Sequence, residues 1–560
     1  MSTTTRSRSS TSADFGWLND EARTFLRRGY LLEGTGPEDR VREIAEHAEG
    51  LLEMDGFADR FYEYMARGYY SLASPVWANF GLDRGLPISC FGSYIDDSME
   101  AILNTHAEVG MMTKVGGGTS GYFGDVRPRG ASITNNGTSN GTYPFAQLFD
   151  KIINVVSQGE TRRGHFAGYI DIEHPDVEEW LNIQTEGDAI QTMMYGVVVG
   201  DDWMEAMIDG DSDKRALWAK VVESRMNLGI PYILFRGNVQ DGRPQVYKDK
   251  GYDVHASNLC SEVLLPSGPD ESFVCCLSSM NALHYDDWKD TDAVETLTQF
   301  LDAVMQEFID GAKGMAHMDR AVRFAERHRA IGIGILGWHS YLQSNRIPFE
   351  SAEASLTGAE IAKTIKERSY AASAELADRF GEPPVLEGYG RRNATTMAVA
   401  PTKSSSFILG QVSPSIEPIK SNYFVQDRAK MKVTYKNPHL KALLQEKGRD
   451  TDAVWDEIAL RDGSVQHLDF LSDEEKDVFK TFSEISQMAI IDQAAGRQKH
   501  IDQSQSLNLA IDPGSTPVKD INRLYVEAWK KGVKSLYYQH GVNAAQSFSR
   551  DLLACKVCEA

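Results

Sequence analysis

The chain of 560 residues is 42% hydrophobic and 25% charged, the balance of a globular protein long enough for several domains or for one large α/β barrel with an attached helical domain. Its net charge of −22 argues against nonspecific binding to nucleic acid or anionic membrane. No run of about 18 apolar residues offers a transmembrane helix, and an anionic substrate needs a locally positive or backbone-lined pocket.

The first residues, "MSTTTRSRSSTSADF", are polar and rich in Ser and Thr. No apolar stretch follows the arginines, so residues 1–14 read as a disordered leader, not a signal peptide. Residues 15–85 form a helical front region, with "EARTFLRRGYLL" and "ADRFYEYMARGYY" carrying apolar residues at three-and-four spacing. From Ser71 onward short apolar runs alternate with Gly-rich turns and amphipathic helices, the texture of an α/β fold. "KVGGGTSGYFGDVRPRG" (114–130) and "SQGETRRGHFAG" (157–168) match neither the P-loop nor the dinucleotide fingerprint. In "DIEHPDVEEWL", Pro175 makes a loop and helix cap, so His174 reads as structural, not as a metal ligand. "YGVVVG" (195–200), "AIGIGILG" (330–337) and "TTMAVAP" (395–401) read as buried strands. Between the first two, Val294, Leu297, Leu301, Val304 and Phe308 make a helical core stripe.

"APTKSSSFILG" (400–410) follows an apparent strand and offers hydroxyls, backbone N–H groups and one lysine. Such a turn either cradles a diphosphate or is an ordinary Ser/Thr turn. Tyr537 and Tyr538 in "LYYQ" are either packing residues or a radical relay, since phenols can lose a proton and an electron together. No repeat and no long linker appears. The simplest organisation is one barrel over residues 86–545 and a mobile tail over 546–560.

The six cysteines are Cys90, Cys260, Cys275, Cys276, Cys555 and Cys558. A chain this long does not need disulfide staples, so reduced cytosolic thiols are the default. "CKVC" has redox spacing, but no second pair completes a four-cysteine zinc site, and no metal site is expected. In "SNLCSEV" (257–263), Asn258, Cys260 and Glu262 would share one face of an extended segment. A carboxylate beside a thiol opposes thiolate formation, which makes this a poor ordinary nucleophile site. The trio suits a thiol that loses a hydrogen atom, beside a base for a bound hydroxyl; a half-buried strand with a packed cysteine is the other reading.

The motifs "SLASP", "ISCFGSYIDDS", "SNLCSEV", "CCLSSMN", "MAVAPTKSSS", "LYYQ" and "CKVC", in this order over about residues 60–560, resemble the large catalytic subunit of class I ribonucleotide reductase. The resemblance implies a ten-stranded α/β barrel with a central finger loop, preceded by a helical N-terminal region. It implies that Cys260 becomes a thiyl radical and removes the 3′ hydrogen atom of a ribonucleotide. Glu262 would take the 3′ hydroxyl proton and Asn258 would bond the ribose. Cys90 and Cys275 would supply two electrons, Cys275 being favoured over Cys276 by the family pattern.

By the same resemblance Ser74, Ser89 and Gly118 contact substrate, with Pro401, Thr402, Lys403, Ser404 and Ser405 around the diphosphate. Asp97, Ser98 and Arg127 match the allosteric specificity site, and "TEGDAIQTMMYG" (185–196) falls where the family's signalling loop lies. Tyr537 and Tyr538 match the radical-transfer pair, and Cys555 with Cys558 the dithiol tail. The implied cofactor arrangement is none bound directly by this chain, the radical arising in a metal-bearing partner, with nucleoside triphosphate or deoxynucleotide effectors. Implied partners are a small ferritin-like radical-generating subunit, thioredoxin or glutaredoxin, ribonucleoside diphosphates and a second copy in a cytoplasmic homodimer; nucleic acid and membrane are not expected. The alternatives are an adenosylcobalamin-dependent reductase of the same family and an inactive nucleotide-binding regulatory homologue. An N-terminal ATP cone of roughly a hundred residues exceeds the short leader, so none is expected.

Overall fold

The structure, a computed structural model, describes residues 15–158, 162–428, 431–512, 514 and 516–541. The expected leader (1–14) and all residues after Gly541, including the expected tail (546–560) with Cys555 and Cys558, lie outside the described residues.

The helical front end contains helices Asp20–Gly29, Pro37–Leu52 and Phe57–Ala66. Asn19 caps the first through its side chain, which accepts from Ala22 N at 2.8 Å, and a proline opens the second. Their apolar stripes, among them Phe25, Ile44 and Phe61, are buried. Phe61 stacks on Phe300 at 4.4 Å between ring centroids, tying this region to the helix Ala293–Ala312 that carries the expected core stripe.

Two parallel half-sheets make the barrel. The first runs Cys90–Tyr94, Gly118–Tyr122, Phe166–Asp171, Met194–Val199, Tyr232–Phe235, each parallel to the next. The second begins with Phe273–Asn281 and Ile331–Leu336, also parallel. It continues through Met397, which bridges Ile333, and Val399, which bridges Gln505. "TTMAVAP" is thus a stave held by single bridges, not the continuous strand its apolar run suggests, because the Thr396 and Met397 N–H groups bond the Asp502 carboxylate instead of a neighbouring strand.

The halves meet antiparallel at two junctions, Cys90–Gly92 against Phe273–Cys275 and Ser535–Leu536 against Ile233–Leu234. The last gap, between 503–509 and 535–538, closes through Tyr537 N to Leu507 O (2.9 Å) and Leu509 N to Tyr538 O (3.1 Å). Counting the bridged stretches 397–399 and 503–506, ten staves surround the centre, as expected for the ten-stranded barrel. Outside it, Leu440, Leu443, Trp455 and Phe479 form a separate small core that the sequence reading merged into the barrel.

Candidate active site

Residues 253–265 carry no regular secondary structure and run into the barrel, with Cys260 at the tip. The tip is a turn, not the extended segment that alternation suggested: Ser261 N donates to Asn258 O, and Ser261 sits at φ 72°. The cause is Asn258, whose side-chain oxygen accepts from Glu262 N (3.1 Å) and Val263 N (3.0 Å) and wraps the chain around itself. Staves on both sides hold this turn. Tyr169 donates to Asn258 O at 2.7 Å, Ser506 to Cys260 O at 2.6 Å, and Ser535 to Ser261 O at 2.8 Å.

The tip faces a cavity, and most of the expected site residues line it. Ser74, Ser89, Cys90, Gly118, Cys260 and Glu262 form one side, and the loop Pro401, Thr402, Lys403, Ser404 and Ser405 the other. Thr402 adopts φ 48° just before the helix Lys403–Ile408, and its hydroxyl accepts from Ser415 N at 2.7 Å. The space at Gly118 is tight: a Cβ there would lie 3.2 Å from the Leu259 side chain, which would have to give by a few tenths of an ångström, and 3.4 Å from Ser89 O.

Cys90 and Cys275 are 185 residues apart in sequence but directly opposite on adjacent antiparallel strands. Such partners hold their Cβ atoms about 4.5–5.5 Å apart, and a disulfide needs about 3.8 Å, so a small contraction joins them. Cys276 points the other way and donates to Leu301 O of the outer helix at 3.3 Å. Burial pushes the Cys275 thiol well up, with Cys276 and Cys90 adding to the effect. Burial also pushes the Glu262 carboxyl up to about 7, against backbone, Asn258 and Ser506 hydrogen bonds that lower it.

Asn258 does not line the cavity. It is fully buried behind Cys260, and its amide nitrogen donates to Cys90 Sγ at 3.2 Å. Tyr537 and Tyr538 are buried with ring centroids 4.3 Å apart. Tyr232, absent from the sequence reading, packs against both, at 4.8 and 5.2 Å. Burial raises its phenol, with Tyr538 and Cys260 contributing. Ser506, Gln503 and Tyr169 were likewise missed; the run Gln503–Ser506 is polar yet at most 3% exposed, a signal that composition alone hides.

Asp97, Ser98 and Arg127 lie away from this cavity. Arg127 Nε donates to Asp97 Oδ2 at 2.8 Å, and Ser98 caps the helix Met99–Lys114 by accepting from Ala101 N at 3.1 Å. In the 185–196 stretch, Asp188 accepts from the Tyr143 hydroxyl at 2.7 Å and from Ile190 N at 2.8 Å. His174 is structural, bonded to Val126 O at 2.9 Å and to Asp176 N at 3.1 Å. Among the described residues no group of three or more His, Cys, Asp or Glu could hold a metal ion, and no helix is long and apolar enough to cross a membrane.

Comparison with known proteins accords with this geometry. The family description "Ribonucleotide reductase, all-alpha domain" matches residues 17–85, and "Ribonucleotide reductase, barrel domain" matches 88–214, 209–389 and 384–539. A relative from Frog virus 3 is 39% identical over 503 residues, 86% of this chain and 87% of that one. The ribonucleoside-diphosphate reductase large subunit of Invertebrate iridescent virus 3 is 33% identical, with 92% of each chain covered. Among solved structures, the class Id ribonucleotide reductase alpha subunit of Actinobacillus ureae superposes with a TM-score of 0.90 at 60% identity, over 97% of this chain and 99% of that one. The chain belongs to the ribonucleotide reductase family, as a large subunit of the ribonucleoside-diphosphate reductases that make 2′-deoxyribonucleotides.

Proposed function

We propose that reduction takes place in the cavity between Cys90, Cys260 and the 400–405 loop, with each residue in the following role. The diphosphate lies along Thr402, Lys403, Ser404 and Ser405, and the ribose between Ser74, Ser89 and Gly118. Cys260, as a thiyl radical, takes the 3′ hydrogen atom, and Glu262 takes the 3′ hydroxyl proton. The 2′ hydroxyl leaves as water. Cys90 and Cys275 give up two electrons and two protons and end as a disulfide, and Cys260 returns its hydrogen atom to the 3′ carbon. The observation that carries this reading is the convergence of Cys260, Glu262 and Cys90 on one cavity, with Cys275 directly opposite Cys90. Asn258 acts from behind, fixing the turn and orienting the Cys90 thiol.

The radical reaches Cys260 through Tyr537 and Tyr538 from a small, metal-bearing, ferritin-like partner subunit. Cys555 and Cys558 then reduce the disulfide and are themselves reduced by thioredoxin or glutaredoxin. Asp97, Ser98 and Arg127 bind a nucleoside triphosphate or deoxynucleotide effector. A homodimer fits the exposed Met99 and Leu103 on the helix Met99–Lys114, together with the exposed Leu148. A cytoplasmic setting belongs to the same proposal.

The test is Cys260→Ala, which removes the radical-bearing sulfur and keeps the pocket. Turnover, assayed with a radical-generating subunit or with adenosylcobalamin, should be lost while nucleoside diphosphate binding stays near normal. Substantial turnover by this variant would sink the mechanism. Activity of the parent chain with adenosylcobalamin alone would replace the two-subunit route.

A further inference from the structure

The substrate cavity has a neighbour. A second groove, lined by Phe407, Val412, Pro418, Ile419 and Phe424, shares Lys403 with it, so the two spaces meet at the 400–405 loop. Phe424 stacks on the buried Tyr435 with ring centroids 4.9 Å apart, which gives the groove a fixed aromatic wall.

The described chain ends beside this groove. Tyr538 N donates to Asn508 Oδ1 at 3.1 Å, and Asn508 Nδ2 donates to Glu417 Oε2, a groove residue, at 2.9 Å. The His540 ring lies 6.2 Å from that of Phe482, whose N–H donates to Ile419 O at 2.8 Å. The groove thus has the chain's exit near one wall and the Cys90 cavity at another. From Gly541 to Cys555 there are 14 residues, an extended reach of about 45 Å. Immediately before Cys555 the sequence is Leu552, Leu553, Ala554, an apolar triplet matched to an apolar wall.

We propose that this groove is the docking track for the chain's own Leu552–Ala554 segment, which seats there and delivers Cys555 to the Cys90–Cys275 disulfide. The inference rests on the shuttle role given above to Cys555 and Cys558. In the exchange the Cys555 thiolate attacks one sulfur of the disulfide and releases the other as thiolate. Cys558 then attacks Cys555 and frees the second. Two electrons pass into the barrel, two protons follow onto its thiolates, and the terminus leaves as the Cys555–Cys558 disulfide. Seating the leucines raises the effective concentration of the thiol at the cavity mouth, where a protein reductant is too bulky to enter.

The test uses Val412→Asp, at a part-exposed groove position outside the substrate cavity, with Phe424→Ser as a second variant. Each is assayed with the radical-generating subunit in single turnover from prereduced enzyme, in multiple turnover with a small dithiol, and in multiple turnover with thioredoxin. The first two should stay within about twofold of the parent, and the third should fall about tenfold. Equal losses in all three assays, or none in any, overturn the docking role. In a Cys555→Ser, Cys558→Ser background, Val412→Cys with Leu552→Cys should form a disulfide within one chain on mild oxidation, mapped by mass spectrometry. A covalent dimer, or no crosslink, overturns the route. If the Cys555→Ser, Cys558→Ser variant itself cycles normally with thioredoxin, the shuttle reading fails. If it stalls while Val412→Asp cycles normally, only the groove assignment fails.

Discussion

Glu262 gives the site its pH response. Its carboxyl, buried and raised to about 7, must be ionised for the proposed acceptance of the 3′ hydroxyl proton, so kcat/KM should rise as pH passes through about 7 and level off above it. Stability runs the opposite way. The folded value lies above the unfolded one, so the native state holds the proton more tightly, and the stabilisation present below the unfolded value is lost as pH rises through about 7. Glu262→Gln should abolish turnover and, at pH 8, unfold at higher urea than the parent, by on the order of 3 kcal/mol, with the gap closing toward pH 5. A gap that ignores pH would mean that Glu262 is not the group being charged. At this scale the sequence was informative because the thiols are few and their neighbours distinctive. What it could not give was the turn at Cys260, since period-two alternation is blind to an asparagine that caps its own loop.

The finger loop shows how a polar stave positions the Cys260 turn. Ser506 donates to Cys260 O at 2.6 Å and lies 3.1 Å from Glu262 Oε2, so one hydroxyl contacts both residues. Ser506→Ala should lower kcat about tenfold with little change in KM, because a hydrogen bond that fixes geometry is lost and the substrate walls are kept. The Ser506 bond also lowers the Glu262 carboxyl, so its removal should shift the acid limb of the pH–rate profile to higher pH. A lower kcat with an unmoved acid limb would make Ser506 a packing residue only. Elements with apolar runs, Met194–Val199 and Ile331–Leu336, were legible in the sequence. Gly118–Tyr122 and Phe166–Asp171 were not, because their glycines make room for neighbouring rings. A Cβ on Gly168 would come within 2.7 Å of Trp180, and one on Gly121 within 2.8 Å of Phe166. The stave at 503–506 was hidden for the reverse reason, being buried but polar.

Closure of the whole barrel converges on one buried lysine. Lys534 Nζ donates to Gly242 O (3.0 Å), Asp502 O (2.7 Å) and Gln503 O (2.9 Å), and so links the two halves beside the last seam. Next to it the Ser535 hydroxyl meets that of Ser504 at 2.7 Å and holds Ser261 O at the finger tip. Gln503, in turn, accepts from Leu264 N at 3.1 Å and stands 3.7 Å from Cys275 Sγ. The seam, the loop that carries Cys260 and the strand that carries Cys275 are therefore one connected network, although residues 242, 261, 275, 503 and 535 are scattered along the chain. Lys534→Met keeps the aliphatic stem and removes the donor to the Gly242 and Asp502 carbonyls, while Gln503 O keeps its bond from Gln498 Nε2 at 2.9 Å. The expected cost is on the order of 3 kcal/mol, since a buried polar group left unsatisfied costs about 1–3 kcal/mol. A lower urea midpoint should come with a reduced single-turnover yield even where the variant is fully folded, because the finger tip loses its fixed frame. A parental midpoint would mean that the backbone bonds at Leu507 and Tyr538 close the barrel unaided, and a normal yield would uncouple the seam from the site.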